Sequence, residues 1–185
     1  MAIPKGLSKS PFEINHPKDR WRPDLNSEEK NIQKYFAPFV ENIRNQIYDW
    51  RQFGYPGISN TSRQLLNYWF CTEHNPTFRY YFGQRESLES VIFIYEKKKV
   101  RKSGDLLKFD SWGLSNNFLK DNWLRLVLKQ ATGTGKTKVL MLIIAWSYFH
   151  KKFEEHSELS KNFLLIAPNT IAVSYTHLRA HETRS

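Results

Sequence analysis

Apolar residues are spaced in two different ways along this chain. Between residues 27 and 102 many of them recur every three or four positions, which is the spacing of amphipathic helices. From residue 123 onward they form denser runs, at 123–128 and 139–146, with a segment rich in glycine and threonine between them. This order predicts a helical region followed by a short strand, a loop and a buried helix.

Three helices are expected in the helical region. The first begins at Asn26, which can cap it, and Pro38 is expected to kink or break it. A second begins near Ser59, and a third covers about 84–98. Their many aromatic side chains could serve as base-stacking platforms, but burial is the usual fate of aromatic residues at helical spacing. We therefore assign these aromatic residues to the core.

The segment between the two dense apolar runs has the composition of a phosphate-binding loop. It reads Ala131-Thr132-Gly133-Thr134-Gly135-Lys136-Thr137. Gly133 and Gly135 let backbone N–H groups turn inward as an anion-binding nest, at the start of the following helix. Lys136 is placed to reach the outer phosphates, and the Thr137 hydroxyl is placed to bind Mg²⁺. These residues predict a site for ATP and Mg²⁺, and a turn that binds nothing is the alternative.

The net charge of the chain indicates what kind of partner it binds. Lys and Arg outnumber Asp and Glu by 28 to 18, which gives a net charge of +10 and a pI near 9.7. Such an excess favours a polyanionic partner, most simply nucleic acid. The densest basic run, at 97–102, can contact phosphates or can be a solvated helix end, where cations complement the helix dipole. Both interpretations stay open.

The single cysteine, Cys71, rules out a disulfide within the chain and agrees with a reducing cytoplasm. Cys71 and His74 have a C-x-x-H spacing, but no second pair accompanies them, so we treat both as structural. The N-terminus lacks the apolar run of a signal peptide, and the apolar stretch at 139–149 is well short of the roughly 20 residues that span a bilayer. We expect a cytoplasmic protein that does not enter a membrane.

Five segments together resemble one protein family. They are Trp21-Arg22-Pro23, Tyr55-Pro56-Gly57, 78–86, 130–137 and 162–169. Over residues 11–172 the chain resembles the N-terminal part of superfamily 2 (DEAD/DEAH-box) helicases of the type III restriction enzyme Res-subunit type. Gln130 stands where the general pattern G-x-x-x-x-G-K-[ST] has its first glycine, and this glycine is often absent from motif I of such helicases. The resemblance implies an α/β fold, in which a mostly helical N-terminal region precedes a RecA-like lobe with a parallel sheet.

The resemblance also implies roles for residues outside the loop. The glutamine that matches Gln84 reads the adenine base in such helicases, through the two hydrogen bonds that an amide can make. Pro168, Asn169 and Thr170 match motif Ia, which contacts the backbone of bound DNA. Asn169 and Thr170 can equally cap the next helix, and the two roles can coexist. The implied partners are DNA, expected to be double-stranded, and a modification methyltransferase subunit.

Domain boundaries follow from the pattern and the resemblance. The expected segments are an extended arm at 1–26, a helical region at 27–102, a loop at 103–122, the first part of the ATP-binding lobe at 123–172 and a tail at 173–185. The tail departs abruptly from the family pattern, and its back-translation resembles an adaptor of transposase-based sequencing libraries. We therefore expect a non-native tail, with a genuine basic tail as the alternative.

ATP turnover in such a motor also needs an Asp/Glu pair and an arginine from a second lobe. We find no D-E-x-[HD] motif behind an apolar strand; Glu154-Glu155-His156 is a superficial match that we interpret as a solvated helix end. The sequence thus predicts an N-terminal fragment of an ATP-dependent DNA helicase or translocase with negligible turnover of its own. A P-loop NTPase of another kind, such as a nucleotide kinase, and a non-enzymatic nucleic-acid-binding protein remain alternatives.

Overall fold

The structure is a computed structural model, and it describes residues 10–19, 38–71, 78–109 and 122–166. The α-helices of this part are α1 (Pro38–Gln52), α2 (Asn60–Phe70), α3 (Phe82–Ile92) and α4 (Lys136–Phe153). Shorter helical turns are the 3-10 turns Pro17–Asp19 and Ser103–Lys108 and the π-helix Phe93–Lys97, which continues α3. Most of the expected arm and the whole of the expected tail lie outside the described residues.

A local sequence signal marks the start of α2. α1 is described from Pro38 onward, and the residues directly before it lie outside the described ranges. The expected first helix is confirmed from residue 38 to residue 52, whereas its expected start at Asn26 lies outside the described residues, which leaves the expected kink at Pro38 untested. Ser59 caps α2 by accepting a hydrogen bond from the N–H of Ser62 at 3.1 Å, which confirms the expected start.

The core is built around α3. This helix packs against both α1 and α4, while α4 also packs against α2. Fully or almost fully buried apolar side chains come from all of these elements; they include Ile47, Leu66, Leu88, Ile92, Phe93 and Trp146. Burial of Trp50 and Phe93 confirms the assignment to the core for these two aromatic residues, whereas Tyr68 of α2 is 56% exposed. None of the described helices combines the length and the apolar character that a membrane crossing requires.

The expected parallel α/β sheet is wrong for the described part of the chain. That part is 56% helical and contains no strand, so no RecA-like lobe is seen. Residues 124–130 and 162–166 adopt no regular secondary structure, and no ladder of hydrogen bonds joins them within the described ranges. Val127 and Ile166 are 86% and 88% exposed. An apolar run becomes a strand only when its backbone pairs with a neighbour, which the spacing of its residues cannot supply.

A buried charge network joins α1 to α3. Glu89 of α3 is fully buried, and the single N–H of Arg51 Nε is shared between its two carboxylate oxygens, each 3.0 Å from Nε, while Nη2 of Arg51 also donates to it. Arg85 Nε donates to the same carboxylate at 2.8 Å, and the hydroxyl of Tyr55 donates to it at 2.6 Å. Burial, and then the charge of Glu89, raises the pKa of Tyr55, so its hydroxyl stays protonated and acts as a donor.

A second buried carboxylate, Glu96 of the π-helix, connects α2 with α4. It accepts hydrogen bonds from the N–H of Ser59 at 2.7 Å and from the hydroxyl of Ser62, and it lies 3.5 Å from Nε2 of His150. Burial alone would raise the pKa of Glu96, but the hydrogen bonds from His150, Ser59 and Ser62 outweigh it and lower this pKa to about 2. Glu96 is therefore an anion that holds three elements together.

Candidate nucleotide-binding site

The loop at 131–137 has the backbone of an anion-binding turn. Gly133 and Gly135 have φ angles of +79° and +78°, the left-handed region that glycine enters at no steric cost. α4 starts directly after the second of them, and no side chain caps its N-terminus. Lys136 and Thr137 lie exposed in its first turn. The positive end of the helix dipole therefore lies next to these two residues, and the binding of phosphate there stays a prediction.

Gln84 lies against this loop, although the two are far apart in the sequence. Its Nε2 donates to the carbonyl oxygen of Thr134 at 3.0 Å, across 50 residues. Its Oε1 accepts from the N–H of Tyr81 at 3.0 Å, and the side chain is only 4% exposed. The structure therefore brings together the two features that the sequence singled out separately. Both ends of the amide are occupied by the chain's own backbone, so a base would have to replace one of these partners.

Gln130 forms a second contact between loop and helix. Its Nε2 donates to Oγ of Ser87 at 2.6 Å and to the carbonyl oxygen of Gly83 at 3.3 Å. The hydroxyl of Ser87 donates in turn to Gly83 at 2.7 Å, so its oxygen is available to accept from Gln130. Sequence reasoning noted Gln130 only as a departure from the glycine pattern. No local signal connects it to Ser87, which lies 43 residues earlier.

Aromatic rings stand beside the loop. Phe78 and Tyr81, which precede α3, are 43% and 39% exposed. Nζ of Lys138, from the first turn of α4, lies 5.5 Å from the centre of the Phe78 ring, within cation–π range. The ring of Tyr81 packs against Phe12 at 5.2 Å between centres. Both rings are thus partly exposed and partly covered by other side chains of this chain; the sequence analysis used them only as part of segment 78–86 in the family resemblance.

Two other segments were predicted to contact nucleic acid. Residues Pro168, Asn169 and Thr170 lie outside the described residues. In the basic run at 97–102, Lys98 lies over the rings of Phe93 and Phe109 at 5.3 and 5.6 Å. Arg101 stacks on Tyr95 and pairs with Glu158. Because the chain itself engages these two cations, the geometry favours the helix-end interpretation of the run.

The acidic residues after α4 lie at its far end. Glu155 and His156 are exposed, and Glu154 follows the last residue of the helix, as expected for a helix end. Glu154 accepts from the N–H of Thr61 at 3.0 Å, and hydrogen bonding to Thr61 lowers the pKa of this carboxyl. Within the described ranges, no three side chains of His, Cys, Asp or Glu come together as a metal site. Thr137 remains the residue that we predict to bind Mg²⁺.

Comparison with known proteins adds no further information. No family model matches this chain, and neither a curated protein nor a solved structure matches it significantly. The helicase resemblance and the roles that it implies therefore remain predictions.

Proposed function

We propose that this chain binds ATP with Mg²⁺ through residues 131–137. The observation that carries the proposal is the left-handed Gly135 directly before α4, which presents an N-terminus without a side-chain cap to an incoming phosphate. Lys136 then neutralises the outer phosphates, and the hydroxyl of Thr137 is the chain's ligand for the metal. Gln84 supports the proposal because it fixes the carbonyl of Thr134 inside the same turn.

We further propose that the nucleotide drives a DNA helicase or translocase of the DEAD/DEAH-box, type III restriction-like class. The resemblance assigns Gln84 to the adenine base and residues 130–137 to motif I, and Gln84 contacts this loop. The net charge of +10 agrees with DNA as the partner. A modification methyltransferase subunit and a cytoplasmic location belong to the same proposal. Asn169 and Thr170, together with Pro168, would contact the DNA backbone.

The binding proposal is tested with a fluorescent ATP analogue and Mg²⁺ on the 185-residue chain. Lys136→Ala should weaken binding about tenfold or more, because a charge-assisted contact to phosphate is lost. Lys161→Ala, which removes another exposed lysine, is the matched control and should bind as the unchanged chain does. Equal affinity in both variants would contradict the proposal.

Turnover and DNA dependence separate the classes of protein. We expect negligible hydrolysis by this chain, because the sequence offers no Asp/Glu pair of the D-E-x-[HD] kind to hold the metal and orient water. Clear Mg²⁺-dependent hydrolysis by the chain alone would refute this expectation. The alternative of a nucleic-acid-binding protein without nucleotide chemistry is supported by the excess of cationic residues. DNA binding that needs no ATP and persists in Lys136→Ala would favour that alternative.

A further inference from the structure

Gln130 occupies a position at which the general phosphate-loop pattern has glycine, and its side chain contacts the rest of the protein. It is half-buried, and Nε2 reaches the hydroxyl oxygen of Ser87 and the carbonyl oxygen of Gly83 in the first turns of α3. The hydroxyl proton of Ser87 goes to Gly83, which leaves the hydroxyl oxygen as an acceptor for Gln130. The direction of every hydrogen bond in this group is therefore consistent.

Two amide side chains thus hold the loop at its two ends. Gln130 lies immediately before Ala131, while Gln84 donates to Thr134 near the other end. Both contacts lead to the first turns of α3, and α3 lies at the centre of the core. A loop that is tied twice to a packed helix loses little further conformational freedom when a ligand orders it.

We infer that Gln130 is a positioning residue for nucleotide binding, which acts by holding the start of the phosphate loop on Ser87 and Gly83. The inference rests on the proposed ATP site but concerns a residue that touches no phosphate. For Gln130→Gly, this inference predicts a change in nucleotide affinity opposite to the change that the motif alone predicts. Gln130→Gly would create the full G-x-x-x-x-G-K-T pattern, and the motif predicts equal or better binding. The structure predicts weaker binding, because the contact to α3 is lost and backbone freedom is added.

The unsatisfied Oε1 of Gln130 makes it possible to test a role in positioning the loop separately from a role in the stability of the fold. This oxygen is buried and has no hydrogen-bond partner in the described part of the chain. Gln130→Met keeps the length of the side chain and removes that unsatisfied acceptor, so the fold should be as stable as before or more so. The same change removes the two donated hydrogen bonds. A purely structural residue would therefore leave nucleotide affinity unchanged in Gln130→Met, whereas a positioning residue would not.

The experiment compares Gln130→Met, Gln130→Gly and Ser87→Ala in the full chain. We expect each to weaken binding of the fluorescent ATP analogue with Mg²⁺ by about three- to tenfold, the effect of a neutral hydrogen bond. Ser87→Ala combined with Gln130→Met should lose less than the product of the single losses, because both remove the same contact. Gln64→Ala, at an exposed site on α2, is the control for truncation of a glutamine. Unchanged affinity in Gln130→Met, or tighter binding by Gln130→Gly, would overturn the inference.

Hydrogen exchange on the nucleotide-free chain gives a second, independent measurement. The amides at 131–140 should exchange faster in Gln130→Met and Ser87→Ala than in Gln64→Ala, since the loop and the start of α4 are less firmly held. Equal exchange in all three would also overturn the inference. Lys136→Ala tests the ATP site itself: if it abolishes binding while Gln130→Met does not change it, the proposed function stands and the role of Gln130 falls. If the unchanged chain binds no nucleotide, the proposed function falls and the role of Gln130 in nucleotide binding falls with it, whatever the exchange shows.

Discussion

The side-chain amide of Gln84 occupies the space that a Cβ atom on Gly135 would need. Gly133 has almost the same φ angle as Gly135, but a Cβ atom there would meet no other atom within 4 Å. Both positions therefore favour glycine for the same conformational reason, and only Gly135 has a steric reason as well. This difference gives a direct test of the contact between Gln84 and the loop.

Alanine at the two glycines should have unequal effects. Gly133→Ala adds only the strain of a left-handed alanine, about 1–2 kcal/mol. Gly135→Ala adds the same strain and also displaces the end of the Gln84 side chain, so it should weaken binding of the ATP analogue more than Gly133→Ala does. Gln84→Ala in the Gly135→Ala background should restore part of this loss, because it removes the clash. Equal effects of the two alanines would show that Gln84 does not lie where the structure places it.

Removal of Glu89 should destabilise the fold strongly. Glu89→Ala leaves Arg51 buried without its carboxylate and costs about 3–5 kcal/mol of unfolding free energy, as for other broken buried ion pairs. Glu155→Ala, at an exposed carboxylate, is the control and should change stability by less than about 0.5 kcal/mol. Urea unfolding at neutral pH measures both. Similar unfolding midpoints for the two variants would contradict the buried network.

Acid should weaken the fold through Glu96. Its pKa is lowered from 4.5 to about 2 by folding, so the unfolded chain takes up this proton more readily than the folded chain does. The stabilisation is present above pH 4.5 and is lost as the pH falls toward 2. Its size is on the order of 3 kcal/mol, from the difference between the two pKa values. Urea unfolding at a series of pH values should therefore show a fall below pH 4.5 that is clearly reduced in Glu96→Gln.

Metal should contribute to nucleotide binding through Thr137. A saturating ATP analogue with Mg²⁺ should stabilise the chain by about 2.7 kcal/mol at 100 times its Kd. Thr137→Val keeps the shape of the side chain and removes the hydroxyl, so its gain should be smaller, and excess chelator should then make little further difference. A gain in Thr137→Val equal to that of the unchanged chain would argue against a metal ligand at this position.

Local signals predict the helices well and the long-range contacts poorly. Ser59 caps α2 as its residue type suggests, and the two glycines of the loop adopt left-handed conformations directly before α4. The contacts of Gln84 with Thr134 and of Gln130 with Ser87 join residues 50 and 43 positions apart. No periodicity encodes such pairs, because they depend on how α3 and the loop are brought together by the core.

The predicted sheet is wrong for a similar reason. The apolar run at 123–128 has a composition that suits a strand, but a strand also needs a neighbour with which to exchange hydrogen bonds. That requirement cannot be seen in the run itself. The buried Glu89 and Glu96 were missed for a related reason, since acidic residues are rarely buried unless other elements supply their partners.

α4 connects the candidate ATP loop with the carboxylate of Glu96. It begins at Lys136, and near its other end Nε1 of Trp146 donates to Ser62 at 2.7 Å while His150 faces Glu96. At 1.5 Å per residue, its 18 residues form a rod about 27 Å long. A single helix therefore carries the candidate ATP loop at its start and, near its end, the histidine that faces the buried anion Glu96.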